Sequence, residues 1–299
     1  FDAFVREHIL RPEAKARSIG GADATESGRV LAPRDAPQLF DFSVWQQCAG
    51  LLVDEVVMPK WFGVDLYTHA AARVSPVLGS TSPTLFLAAA GTGSGLHVDF
   101  LQTNFWMALC HGRKRWRLVP REDLPCLYPR YLLDLNPAFP SDLDRLGDAG
   151  ELVERPDLAR VRVQEVELEP GDLLFVPYGT PHQVENLETS VALSANFIDR
   201  SNMVEALRES ELLGLVSEDP AHVAGFIRSA CASGVLDNLE AAAPRDKHSS
   251  LRDFKARHGE LRPPQETQRR LVLAAQVAAT SVVIVGAAVW WGLALRPAS

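Results

Sequence analysis

Cysteine is scarce in this sequence and never clustered. Cys48, Cys110, Cys126 and Cys231 are the four in 299 residues, and no two stand in a C-x-x-C pair. That spacing argues against a structural zinc site and a disulfide framework, and it fits a reducing compartment. An excess of positive charge is missing as well. The formal net charge is -8, whereas a general nucleic-acid binder needs a basic surface. An acidic balance is better suited to a basic peptide. The chain opens at Phe1 without a Met, so an upstream segment, including a signal or transit peptide, is allowed for.

Long apolar runs are also lacking, with one exception. Residues 271–295, LVLAAQVAATSVVIVGAAVWWGLAL, carry no charge, and a membrane-spanning helix needs about 20 such residues. Trp290 and Trp291 stand near one end, where an interfacial aromatic belt is expected. Arg269 and Arg270 precede the run and Arg296 follows it. The positive-inside rule then predicts a single-pass C-terminal anchor with the preceding domain on the cytosolic side of a membrane that the sequence does not identify.

The chemistry centres on 91–120, GTGSGLHVDFLQTNFWMALCHGRKRWRLVP. His97 and Asp99 are two apart, so on a strand they share a face. Leu96, Val98, Phe100 and Leu101 predict that this strand is buried. An imidazole and a carboxylate side by side can bind one metal ion once a third ligand joins them, as in the two-His, one-carboxylate arrangement of non-haem iron sites. Downstream, Gly171-Asp172 reads as a turn, Leu173–Val176 as a buried strand and 177–181 as a loop leading to His182. Strands bearing Val184 and spanning 191–197 follow.

These segments, in this order, resemble the JmjC (Jumonji-C) domain of Fe(II)- and 2-oxoglutarate-dependent oxygenases in the cupin superfamily. The nearest likeness is to the arginine demethylase and lysyl hydroxylase (phosphatidylserine-receptor-like) branch. The G-x-H-x-D stretch, Trp106, Gly112 to Trp116, Pro120, Phe175-Val176-Pro177, His182, Asn186 and Asn196-Phe197 carry it, with Pro59 to Phe62 and Asp65-Leu66 upstream. The likeness implies that His97, Asp99 and His182 ligate Fe(II). It further implies that Lys114 pairs with the distal carboxylate of 2-oxoglutarate and that Ser94, Ser194 and Asn196 are further co-substrate positions. A buried ammonium and a carboxylate suit one another because each is costly alone. Met107 departs from the branch, which often has an Asn there that touches the co-substrate. Arg113 and Arg115 alternate with Lys114 and are expected on the outer face. Trp116 reads as core, and His111 as exposed. His8, His69, His222, His248 and His258 show no partner pattern.

In chain order, residues 1–40 form an N-terminal segment, with a short helix over 1–11 and a loop over 18–37. An oxygenase domain of the JmjC/cupin kind is expected over 41–200, with an insertion at 121–156 of loops and helical turns. Phe42, Trp45, Cys48, Leu51 and Leu52 predict a helix over 41–57, 61–71 a second short helix, and 77–78 and 84–89 strands. Val161–Leu168 reads as a half-buried strand with a bulge near Gln164-Glu165. Residues 201–243 read as helical, 244–270 as a polar linker, and 271–295 as the spanning helix.

The fold class expected is mainly β, a double-stranded β-helix (cupin jelly roll) with flanking helices and a C-terminal transmembrane helix. The function expected is a membrane-tethered Fe(II)- and 2-oxoglutarate-dependent dioxygenase that hydroxylates, or demethylates, a protein side chain, with O₂ as the second co-substrate. A homodimer through the helical region is implied by the likeness alone. Two readings stay open beside it: a cupin enzyme using another metal, and a non-catalytic, membrane-anchored binding protein.

Overall fold

The structure, a computed structural model, describes residues 39–45, 53, 55–71, 82–131, 136–215 and 218–259. In chain order it begins with β1 (Leu39–Ser43), β2 (Val57–Met58) and α1 (Leu66–Ala71). Then come β3 (Thr84–Ala88), β4 (Gly93–His97), β5 (Asn104–His111) and β6 (Lys114–Leu118). The insertion holds 3-10 turns, the short strands β7 (Arg130–Tyr131) and β8 (Pro137–Ala138), and α2 (Ala149–Glu154). The chain returns as β9 (Gln164–Leu168), β10 (Leu173–Val176), β11 (His182–Asn186) and β12 (Ser190–Phe197). It continues through α3 (Met203–Leu213), α4 (Glu218–Ala232), α5 (Val235–Ala242), β13 (Ser249–Ser250) and α6 (Leu251–Arg257).

Two antiparallel sheets face each other. One runs β1-β3-β12-β5-β10 and the other β4-β11-β6-β9. Strand alternation explains the layering. Along β5, Phe105, Met107 and Leu109 turn inward to meet Trp116, Leu168 and Val176 between the sheets. Trp106 turns the other way, joining Phe62, Phe197, Leu251 and Phe254 outside the five-stranded sheet. Both faces of β5 are therefore covered, which is why its sequence is nearly continuous apolar residues. Burying one such side chain contributes roughly 1.5–3 kcal/mol. Gly112 makes the tight turn from β5 to β6 at φ +79°, where a Cβ would stand 2.3 Å from the Thr189 carbonyl oxygen.

Several expectations are corrected. Residues 39–43 are a strand, because β1 finds a ladder partner in β3; within the helix expected over 41–57, Val44 and Trp45 are helical, Val57 and Met58 are a strand, and 46–52 lie outside the described residues. Between 61 and 71 the helix is broken into a 3-10 turn at Lys60–Phe62 and α1. Asp65 starts α1: its carboxylate accepts from the backbone N–H of Tyr67 and Thr68, and from Ile198 at the end of β12. The β9 ladder with β6 runs unbroken from Leu118↔Gln164 to Lys114↔Leu168, so it has no bulge, and Leu168 is its one buried residue. Strand β10 is only half-buried: Val176 and Leu174 pack into the core, but as a sheet edge the strand leaves Leu173 and Phe175 exposed.

The expected linker over 244–270 contains structure. β13 pairs with β2, α6 packs Leu251 and Phe254 against the five-stranded sheet, and Lys255 and His258, the residue that ends α6, are buried too. Ser250 caps α6 by accepting from Asp253 N–H. Among the described residues, no helix is long and apolar enough to cross a membrane. The run 271–295 lies outside the described residues, as do the helix expected over 1–11, the loop over 18–37 and the strand at 77–78.

Candidate metal centre and anion pocket

The ligand strand ends sooner than its apolar residues suggest. β4 stops at His97. Asp99 follows in extended backbone, φ −66° and ψ 143°, so it keeps the same side as His97 without belonging to the ladder. Phe100 is 40 % exposed rather than buried. β11 pairs with β4 so that His182 lies directly opposite His97. The imidazole rings are 4.2 Å apart between centroids.

His97, Asp99 and His182 each present a ligand atom, all within 4.8 Å of one another. His97 Nε2 is 4.0 Å from Asp99 Oδ1. The Nδ1 atom of His97 lies 2.8 Å from the Gly95 carbonyl oxygen, and that of His182 lies 2.9 Å from the Thr180 carbonyl oxygen. A carbonyl can only accept, so both Nδ1 atoms carry the proton and both Nε2 lone pairs are left for a cation. Burial, reinforced by His97, pushes the His182 pKa down to about 3, so its imidazole is neutral. Two imidazoles and a carboxylate converging this way fit a divalent first-row metal, iron(II) among them.

The space between the sheets is a cavity of about 380 Å³ that reaches these three residues. From the four-stranded sheet, Ser94, Lys114, Trp116, Val184 and Asn186 line it; from the other, Phe86, Phe105, Met107 and Asn196. Lys114 is 3 % exposed. Its Nζ donates to Asn186 Oδ1 at 2.5 Å, and no carboxylate pairs with it among the described residues. Burial lowers its pKa from 10.5 to about 8. Asn186 is itself fixed, accepting from Ser190 Oγ and donating to the Thr92 carbonyl and Oγ1.

The remaining site expectations divide. Ser94 and Asn196 line the cavity, and Asn196 also donates to Thr103 Oγ1. Ser194 is buried but does not line it; its hydroxyl is 3.2 Å from Thr84 Oγ1. Met107 closes the wall with an apolar surface. Trp116 belongs to the core and also stacks on His182, centroids 5.4 Å apart. Arg113 and Arg115 point outward to Glu188, Glu167, Glu165 and Glu185. Asn186 was not singled out as a site residue. Its spacing could have revealed it, because it is four residues beyond His182 on the same strand face and directly opposite Lys114.

Similarity to known proteins agrees with this geometry. The arginine-specific demethylase JMJ22 of Arabidopsis thaliana is 28% identical over 165 residues, 52% of this chain and 30% of that protein. The bifunctional arginine demethylase and lysyl-hydroxylase psr-1 of Caenorhabditis elegans is 28% identical over 161 residues, 51% and 37% of the two chains. The human 2-oxoglutarate and iron-dependent oxygenase JMJD4 is 28% identical over 191 residues, 62% and 43%. The chain thus spans less than half the length of these curated relatives. A ribosomal oxygenase of Escherichia coli, solved with cobalt and succinic acid, is 21% identical over 44% of this chain and 28% of that one, with a TM-score of 0.23; at that overlap it bears on neither fold nor function here. The model of the cupin-like domain matches residues 36–203, more than half of the sequence, and the chain belongs to that family.

Proposed function

We propose that this protein is an Fe(II)- and 2-oxoglutarate-dependent oxygenase that hydroxylates a protein side chain. The observation that carries the reading is the pairing of two poles in one cavity. At one, three ligand atoms converge with their histidine tautomers fixed. At the other, a buried lysine has a neutral partner and no counter-ion among the described residues. A dicarboxylate whose keto acid end reaches the metal and whose far carboxylate reaches Lys114 satisfies both. A cupin enzyme that uses its metal alone would have no need of the lysine.

The residues would divide the work as follows. His97, Asp99 and His182 hold the metal, and the Gly95 and Thr180 carbonyls keep the imidazoles in the ligating tautomer. Lys114, held by Asn186, orients the co-substrate by its distal carboxylate. Phe86, Phe105, Met107 and Trp116 keep the cavity apolar, which strengthens that ion pair. Iron, when bound, supplies the oxidising chemistry, in which 2-oxoglutarate, O₂ and a substrate C–H become succinate, CO₂ and C–OH. On an N-methyl carbon the same oxidation would remove the methyl group, the activity named for several relatives.

Relatives named for arginine and lysyl chemistry support a protein substrate. The uncharged run 271–295 supports a C-terminal membrane tether, with the barrel on the cytosolic side. The deciding experiment reconstitutes the chain anaerobically with Fe(II), adds 2-oxoglutarate, and follows binding and then succinate on admission of O₂, with Asp99→Ala alongside. Binding and succinate that depend on Asp99 are expected. Failure of the iron-loaded protein to bind 2-oxoglutarate would favour the binding-protein reading. Deleting residues after Arg270 should release the protein from membranes, and continued sedimentation with them would reject the tether.

A further inference from the structure

The three ligands are not held alike. His97 and His182 sit on paired strands, where ladder hydrogen bonds fix them. Asp99 sits just beyond the ladder, so its position depends on the turn that follows. That turn is unusual: Leu101 and Gln102 are both left-handed, at φ 53° and 48°, and neither is a glycine. Two consecutive side-chain-bearing residues persist in that region only where their surroundings over-determine it.

What over-determines it is the helical region behind the barrel. The Leu101 side chain is buried in an apolar cluster with Leu66, Ile198, Ala206 and Ile227. The Gln102 carbonyl accepts from Asn202 Nδ2 at 2.8 Å. The Gln102 side chain donates to Glu209 Oε2 at 2.6 Å. The backbone amides of Leu101 and Gln102 also interact with that carboxylate, opposing the burial that raises its pKa. Glu209 therefore grips both left-handed residues from α3. It lies beyond residue 203, where the family match ends.

We propose that Glu209 is a positioning residue for the metal ligand Asp99, acting through the Leu101–Gln102 turn; this rests on the metal-site reading above. The left-handed turn follows Asp99 within two residues and leads the chain to β5 in the other sheet. The carboxylate then faces His97 Nε2, and Phe100 is left lining the cavity. Without Glu209 the turn relaxes toward ordinary backbone, and Asp99 turns with it. The helices behind the barrel are in this sense part of the metal centre.

The test is Co(II) binding to the full chain, followed by titration and by the visible d–d spectrum, with metal-free thermal stability measured in parallel. Glu209→Ala is expected to weaken Co(II) about tenfold or more, as loss of an outer-shell partner does, and to alter the spectrum. Glu209→Gln keeps the shape and one acceptor oxygen, so a smaller loss is expected; it carries the comparison if the alanine variant does not fold. Adding Gln102→Gly to Glu209→Ala should restore most of the affinity, because glycine takes the left-handed turn without steric cost. Wild-type Co(II) affinity and spectrum in both Glu209 variants, with only stability lowered, would make Glu209 merely structural and overturn the proposal. So would failure of glycine to rescue. A wild-type chain that binds no Co(II) would overturn the metal-site reading itself, before any variant is compared.

Discussion

Lys114 and Arg115 are chain neighbours on β6, yet they live in different worlds. Lys114 faces the space between the sheets, fully buried, against the neutral oxygen of Asn186. Arg115 faces outward among Glu165, Glu167 and Glu185. Arg117, two residues on, likewise pairs outside, with Asp144 at 2.7 Å. The outer charges already have their counter-ions and water around them, so each pair adds little. The inner charge has no carboxylate partner among the described residues, so burial costs it a proton above about pH 8, and an incoming anion would relieve the cost. One step along a strand separates a surface ion pair from a buried lysine on the cavity wall.

The largest effects should come from the inner face. His182→Ala should weaken Fe(II) or Co(II) binding by more than the roughly 10–100-fold typical of outer-shell losses, and calorimetry or metal analysis after desalting will show it. Lys114→Met should leave metal affinity close to wild type. It should cost 2-oxoglutarate about 2–5 kcal/mol, the range for truncating one partner of a buried charge pair. Equal affinity in that variant would remove Lys114 from the pocket.

The pH dependence sharpens the same contrast. With no ligand bound, Lys114 loses its proton above about pH 8. A bound carboxylate favours the charged form and raises that pKa, so above pH 8 binding must take up a proton. Affinity for 2-oxoglutarate should therefore be flat with respect to this group below pH 8, then fall as pH rises, by up to about tenfold per unit. Lys114→Met should abolish that fall, as isothermal titration in two buffers of different ionisation heat will reveal. The smallest effect should be that of Arg115→Ala: stability within about 0.5 kcal/mol and an unchanged 2-oxoglutarate affinity. A large loss there would erase the distinction between the two faces.

Legibility in the sequence followed the length scale of each signal. Strands β6, β11 and β12 could be read because alternation and apolar runs are local. The outward turn of Arg113 and Arg115 followed from the same rule. Residues 39–43 are a strand although Phe42 satisfies a helical spacing with Trp45, because the ladder partner of β1, the strand β3, lies some forty residues away, beyond the reach of any local period. Residues 249–257 were misread from their charge. Ser250 and Asp253 at capping spacing, with Leu251 and Phe254 on one helix face, were the signal that outweighed it. Ser194 kept the inward phase but sits beneath the cavity against Thr84, a depth that no sequence period encodes.

By itself, the sequence determined which residue types could form a metal site and where the inward positions of each strand fall. His97 and Asp99 two apart, and Lys114 alternating with arginines, are consequences of chain geometry alone. Tertiary structure decided the rest. It placed His182 across the ladder from His97, supplied Asn186 as a neutral partner for Lys114, and locked the turn after Asp99 with a helix about a hundred residues away. Those relations depend on pairing and burial between distant segments, and local propensity carries no information about them.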